Sequence, residues 1–438
     1  MTFEYIIILT LILTVIFLFL RMPVGISLLL GGSIGLFLLF KQNSFLIVPQ
    51  QLFGSLNSFT LIALPLFMLM GVILAKGGIG ERLYDIFDAF LGHMPGGVGV
   101  GTILTCMLLS AMMGSSVAVA ATVAPFAIKN LRKLGYSMPI AAGAVAGGGA
   151  LGILIPPSGV MILFGAMTGE SIGRLFMAGM FPGILTGLMF CSYMIFSSRR
   201  QKGIQVKTPA SWTERWRSLK RGYWGILIPL GIIVSIYTGI ATATEAAAVG
   251  CFLAIIATYF FHRTLSWKDF LPLLHEGTIS ITSILLIIAG AVVFGAFVIQ
   301  SGFSDAVAEF FVIHNIALWG FLVITMIIML IEGMFLEGAA ICLIMVPILH
   351  PAVLRYGFSL ITYAVLLTIN IECALLTPPV GLNLFVVNNL CKAQGMPITL
   401  EEVIKGVIPY FLLYILTMVL VAFFPFLSLW LPNHMIGG

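Results

Sequence analysis

Two short stretches set adjacent prolines inside apolar sequence: Leu151–Gly159, LGILIPPSG, and Leu375–Gly381, LLTPPVG. A proline pair removes two N–H donors, and ring clash frees carbonyls of the preceding turn from their i+4 partners. Free carbonyls are ligands for a small cation. The half-helix that starts after the break turns its N–H groups and positive dipole end toward the same place, which suits an anion. Each pair, Pro156 with Pro157 and Pro378 with Pro379, therefore reads as a structural break that can serve a cation and a carboxylate together. A single pair could equally be a packing kink. Two pairs at matched positions argue for more than that.

The positions are matched by an internal repeat. Shifting the sequence by 222 carries Pro125 onto Pro347, Lys133 onto Arg355, Gly135 onto Gly357, Leu154 onto Leu376, the first proline pair onto the second, and Gly159 onto Gly381, without a gap. Apolar sequence aligns leucine with leucine by chance, but shared Gly and Pro punctuation in one register marks a repeated unit.

The elements that must hold these breaks are membrane spans. Of 438 residues 60% are hydrophobic and 8% charged, against about 25% charged in a soluble domain. Spans are expected at about 4–20, 23–40, 60–76, 138–168, 174–197, 223–240, 245–262, 277–300, 359–390 and 407–430, each near the roughly 20 residues a bilayer requires. The first run lacks the basic flank of a cleavable leader and is read as a retained helix. Two further apolar stretches, about 98–128 and 317–349, are interrupted midway by MMGSSV and IEGMFLEGAA. They read as re-entrant hairpins of two half-length helices, because non-helical backbone at membrane depth survives only against protein or a watery cavity.

The segment 198–222 carries eight Lys or Arg and one Glu, and is expected to be a cytoplasmic linker. It divides the chain into a first repeat, 1–197, and a second, 223–438. KNLRK at 129–133 is more basic than its repeat partner around Arg355, so the halves face opposite ways, and the span count puts the N-terminus outside. The expected fold class is an all-α polytopic membrane protein with an inverted-topology repeat, two re-entrant hairpins and two broken helices. That architecture belongs to secondary transporters, with sites at mid-membrane.

Other chemistries fit poorly. The six cysteines form no CxxC pair, the histidines fall at segment ends, and HExxH is absent. A catalytic centre and a resident cofactor are not expected, nor is nucleic-acid binding, since the net charge of +5 sits in short loops. Glu332, Glu337 and Glu372 lie in apolar runs, where acids are costly and usually functional. They leave open a proton-coupled carrier or antiporter as the alternative. The pattern around Glu332 and Glu372 assigns them no role, whereas Glu245 after Thr242 suits a helix start.

Across nearly its whole length the chain resembles the large membrane subunit, DctM or SiaM type, of the tripartite ATP-independent periplasmic (TRAP) transporters. The resemblance rests on RMPVG at 21–25, GHMPGGV at 92–98, GSSVA at 114–118, LGILIPPS, TATEAAAV at 242–249, GMFLEGAA at 333–340, LLTPPVGLNLFV at 375–386 and SLWLP at 428–432. It implies an elevator-type importer of organic acid anions, carboxylates or sulfonates, in the bacterial inner membrane and driven by a sodium gradient. It also implies two partners: a small membrane subunit, DctQ or SiaQ type, expected as a separate chain because this one starts directly with the large-subunit pattern, and a periplasmic substrate-binding protein.

Joined to the break chemistry, the resemblance implies one sodium site at Ser110, Met113, Gly152, Ile155 and Pro157, mostly through backbone carbonyls. A second is implied at Gly333, Ala374, Thr377 and Val380, with the Thr377 hydroxyl as the side-chain ligand. Ser115, Ser116, Ser158 and Asn383 are the candidate substrate donors. Met113 and Ala374 stand where relatives often have Ser and Gly, which a carbonyl ligand tolerates, and Val119 stands where relatives often carry Asp.

Overall fold

A chain this poor in charged residues must close its backbone hydrogen bonds within helices, and four of its helix starts are closed by a hydroxyl paired with an acid. Ser211 with Glu214, Thr242 with Glu245, Ser266 with Asp269 and Thr399 with Glu402 form reciprocal capping boxes. The structure, a computed structural model, describes residues 3–436, and the regular elements among them are all helical.

In the first half α1 (Phe3–Phe19), α2 (Val24–Phe40), α3 (Ser44–Leu56), α4 (Ala63–Lys76) and α5 (Ile79–Leu91) precede a hairpin of α6 (Gly97–Met113) and α7 (Ser116–Lys133). Then α8 (Met138–Gly149) runs through a 3-10 turn, Ala150–Ile153, into the first break; α9 (Gly159–Thr168) leaves it and α10 (Ile172–Arg200) follows. The basic segment between the halves carries α11 (Trp212–Gly222), which bends by 56° into α12 (Trp224–Tyr237), the first helix of the second half. Next come α13 (Ala243–Ile255), extended by a π turn, α14 (Trp267–Gln300), α15 (Phe303–Ile313) and a hairpin of α16 (Leu318–Gly333) and α17 (Gly338–Arg355). The second broken helix is α18 (Leu360–Leu375) and α19 (Leu382–Ala393), and α20 (Leu400–Phe423) and α21 (Phe426–Asn433) end the fold.

The offset of 222 maps α7 onto α17 residue for residue, and α8 with its 3-10 turn onto α18. It also maps α3 through α4 onto the single 34-residue α14. Packing between the halves is reciprocal: α2 lies on α14 and α4 on α13, α8 on α20 and α10 on α18, α7 on α19 and α17 on α9. Each helix leans on the counterpart of its own partner, so neither half is complete alone.

Two of these crossings depend on glycine. A Cβ on Gly290 of α14 would overlap the Gly25 carbonyl of α2, and one on Gly406 of α20 would overlap the Pro139 carbonyl of α8. Small residues at such crossings let backbones approach where no hydrophobic effect drives helices together.

Several expectations need correction. The hairpin arms are 16 to 18 residues long, about 24–27 Å at 1.5 Å per residue, so they are nearly full-length rather than half-length. The linker is shorter than 198–222: α10 runs to Arg200, and the Ser211–Glu214 capping box starts α11 inside the basic run. What lies between is docked, with Gln205 N donating to the Leu134 carbonyl at 2.8 Å and Lys207 Nζ 2.6 Å from Asp88. The span expected at 407–430 divides at Phe424–Pro425 into α20 and α21. Helix α14 starts at Trp267, ten residues before the expected 277, because Asp269 caps its start and Glu276 pairs with Lys76 at 3.1 Å. Among the described residues six spans are long and apolar enough to cross a membrane unaided, eight if each of two bent pairs counts as one. The ten expected spans include both broken helices and the 17-residue α1, which fail that length test.

The glycine crossings lead to a measurement. Gly290→Ala and Gly406→Ala should each cost about 1–3 kcal/mol from overpacking, read as a lower midpoint of thermal unfolding in detergent. Gly231→Ala, where nothing lies within 4 Å of the new methyl, should leave the midpoint unchanged or raise it.

Candidate functional site

Both hairpin tips and both breaks border one cavity of about 540 Å³. Its lining takes residues 113–118 from the first tip, 337–339 from the second, Ile153, Gly159, Val160 and Leu163 around the first break, and Leu375 and Leu382 around the second. Helices α4 and α14 complete the lining through Leu64, Met68, Gly71, Val72, Ile279, Ser280, Ser283 and Ile284. Glu337 is the one ionisable side chain in this lining, and no Lys or Arg reaches it among the described residues. Helices α7, α9, α17 and α19 all begin at or within a residue of lining positions. Their unpaired N–H groups and dipole ends supply the positive potential that the side chains lack.

At the first break the hairpin tip is pressed onto the turn. Gly114 takes a left-handed conformation (φ 58°) and ends α6, and a Cβ there would lie 2.9 Å from the Pro157 carbonyl oxygen. A Cβ on Gly152 would lie 2.5 Å from the Ser116 backbone. The predicted ligands Gly152 and Pro157 are thus brought against the tip that follows Ser110 and Met113. Ser110 is buried, its hydroxyl donating to the Cys106 carbonyl at 2.7 Å, and its own carbonyl accepts from Gly114 N at 3.3 Å. Ile155 differs in direction: its side chain packs toward Gly183 of α10, leaving only its backbone to the break.

The second break collects its predicted residues in the same way. A Cβ on Gly333, at the end of α16, would overlap the Ala374 side chain. The Thr377 hydroxyl donates to the Cys373 carbonyl at 2.7 Å, which leaves its lone pairs free to accept a cation, and Thr377 N donates to the Ala374 carbonyl at 3.0 Å. Val380 is half-buried and precedes Gly381, whose φ is 52°. Both Pro156–Pro157 and Pro378–Pro379 are cis peptide bonds. The breaks differ in cover: Pro156 and Pro157 are buried, Pro378 and Pro379 exposed.

Of the candidate substrate donors, Ser115 and Ser116 line the cavity, while Ser158 and Asn383 lie behind it. Ser115 and Ser158 cap α7 and α9, accepting from Ala118 N at 3.5 Å and Met161 N at 3.3 Å, so each hydroxyl keeps its proton to donate. Asn383 is fully buried and neither side-chain atom has a partner. Sequence reasoning missed Ser280 and Ser283, although two serines three apart in an apolar helix present one polar stripe. It also left Glu372 unassigned. That carboxylate, on α18 and fully buried, accepts from the Ser116 hydroxyl at 2.7 Å and from Ile153 N at 3.0 Å, both through Oε1.

Oxygen sets of carbonyls and hydroxyls suit a hard monovalent cation rather than a transition metal. No group of three His, Cys, Asp or Glu that could hold a metal occurs among the described residues.

Comparison with known proteins agrees with this geometry. Residues 11–427 match the family described as tripartite ATP-independent periplasmic transporter, DctM component. The chain is 35% identical over 407 residues to the C4-dicarboxylate TRAP transporter large permease protein DctM of Pseudomonas aeruginosa, covering 93% of this chain and 94% of that one. It is 32% identical over 422 residues to the sialic acid TRAP transporter large permease protein SiaM of Vibrio cholerae, covering 96% and 97%. In fold it is similar to the YdaH transporter of Alcanivorax borkumensis, with a TM-score of 0.65 at 12% identity over 91% of each chain. With two hairpins and two broken helices around one cavity and a family match over nearly the whole sequence, the chain belongs to the DctM family of large TRAP transporter permeases.

Proposed function

We propose that this permease imports a small organic acid anion by sodium symport, moving its hairpins and broken helices as one body past a scaffold that includes α4 and α14. The observation that carries this reading is a cavity bordered by both breaks and four helix starts but by no basic side chain. A carboxylate or sulfonate there is met by N–H groups and by Ser115, with Ser280 and Ser283 on α14; the Ser116 hydroxyl, which also lines the cavity, has its one proton committed to Glu372. Such neutral donors hold an anion best when cations sit beside it, which makes anion and sodium binding mutually dependent. The first ion falls to Ser110, Met113, Gly152, Ile155 and Pro157, the second to Gly333, Ala374, Thr377 and Val380.

The two halves are read as oppositely oriented, with the basic segment after α10 cytoplasmic and the N-terminus periplasmic, in a bacterial inner membrane. TRAP large permeases work with a small membrane subunit and a periplasmic binding protein. Here the small subunit is taken as a separate chain.

Proteoliposomes holding this permease and its small subunit, supplied with the binding protein, test the reading. An inward sodium gradient at fixed pH should drive accumulation, with little uptake before the binding protein is added. Uptake that follows only a proton gradient would replace sodium by a relay through Glu332, Glu337 or Glu372.

Thr377→Val should raise the sodium concentration for half-maximal uptake about threefold to tenfold, the scale of one lost hydroxyl contact, while Thr377→Ser stays near wild type. An unchanged sodium response in the valine variant would remove Thr377 from the site.

Replacing Pro156 and Pro157 by Ala lets i to i+4 bonds re-form and withdraws the freed carbonyls. Transport should fall steeply and the Hill slope for sodium should drop toward one, with no loss of thermal stability. The pair Pro378 and Pro379 should give the same kind of defect independently. Normal transport in either double variant would reduce that break to a packing kink.

A further inference from the structure

We infer that Glu372 is a positioning residue, through which the second half clamps the first hairpin tip onto the first helix break. Its Oε1 is the shared acceptor for two donors from the other half: the Ser116 hydroxyl, at the start of α7, and the Ile153 amide, at the end of the 3-10 turn. These donors lie 256 and 219 residues away in sequence, so the bonds form only when the two halves are assembled. The carboxylate is fully buried, and Oε2 makes no hydrogen bond, so the link runs through a single oxygen. The backbone has closed up to suit: Gly152 lies against the Ser116 backbone with no room for a Cβ.

The clamp is one-sided. Under the repeat offset of 222, Glu372 corresponds to Ala150, Ser116 to Gly338 and Ile153 to Leu375. Neither Ala150 nor Gly338 has a side-chain hydrogen-bonding group, so the second tip lacks the reciprocal bond. The same asymmetry appears in cover, with the first proline pair buried and the second exposed. Glu372 thereby makes the two tips inequivalent: the first is tied to its break by a residue of the opposite half, and the second is not. Under the sodium reading above, on which this consequence rests, the tie also fixes Gly152 and Pro157 opposite Ser110 and so sets the affinity of the first ion site.

Hydrogen–deuterium exchange of the purified permease in nanodiscs tests the clamp without reference to transport. Glu372→Leu should speed exchange about tenfold or more in residues 113–118 and 150–158, while residues 334–339 exchange as in wild type. Glu372→Gln keeps an acceptor oxygen and should restore both segments to within about twofold, the difference expected between losing and keeping such a bond. Ser116→Ala should give part of the leucine effect alone and add nothing in the Glu372→Leu background, because it removes the same link. If Glu372→Leu does not yield folded protein, Ser116→Ala and Glu372→Gln carry the test by the same readout. Exchange that stays unchanged, that rises equally at 334–339, or that is as fast in the glutamine variant as in the leucine one would overturn the inference. In reconstituted transport Glu372→Leu should also raise the half-activating sodium concentration. A wild-type protein indifferent to sodium would sink the symport reading and leave the exchange result to judge the clamp.

Discussion

Backbone amides and carbonyls have no water to bond in a bilayer, and this constraint governs the whole molecule. Nearly every segment answers it by continuous helix, and several helices, α7, α9, α10 and α18 among them, are closed at their start by a hydroxyl. The two proline breaks do not. Their freed groups survive because hairpin tips are driven against them, at Gly114 on Pro157, Gly152 on Ser116, and Gly333 on Ala374. The same contacts that make the breaks tolerable gather oxygens and N–H groups at one cavity, so the structural solution and the binding site are one arrangement.

Packing between the halves follows from that need. A tip can press on a break only if α7 is held by α19 and α17 by α9, and those pairs in turn are framed by α8 on α20 and α10 on α18. The repeat makes each of these contacts twice, yet the copies are not equal. Glu372 replaces the alanine of the first half, Thr377 stands where the first break has Ile155, and the second break is open where the first is covered. Pseudo-symmetry supplies the scaffold, and departures from it give the two sites different characters.

Much of this was legible in one dimension. Proline pairs, glycines and their common offset survive as punctuation when apolar residues carry no register, so the hairpins, breaks and repeat could be read with boundaries near those observed. Short amphipathic helices could not be read as easily. Helices α5 and α15, 13 and 11 residues long, carry polar residues that resemble loop sequence. The Ser211–Glu214 box was present but hidden in a basic run read as linker. The lining serines of α14 had a visible stripe. The partners of Glu372 had none, since a bond between residues 256 apart leaves no local trace.

The most direct measurement is a high-resolution electron cryomicroscopy map of the permease with its small subunit, collected in sodium and again with sodium replaced by a large organic cation. Two compact densities should be present only in sodium, one among Ser110, Gly152 and Pro157 and one among Gly333, Ala374 and Thr377, each ringed by backbone carbonyls. Identical maps in the two conditions, with the carbonyls at both breaks bonded to protein N–H groups and no density between them, would contradict sodium binding at the breaks.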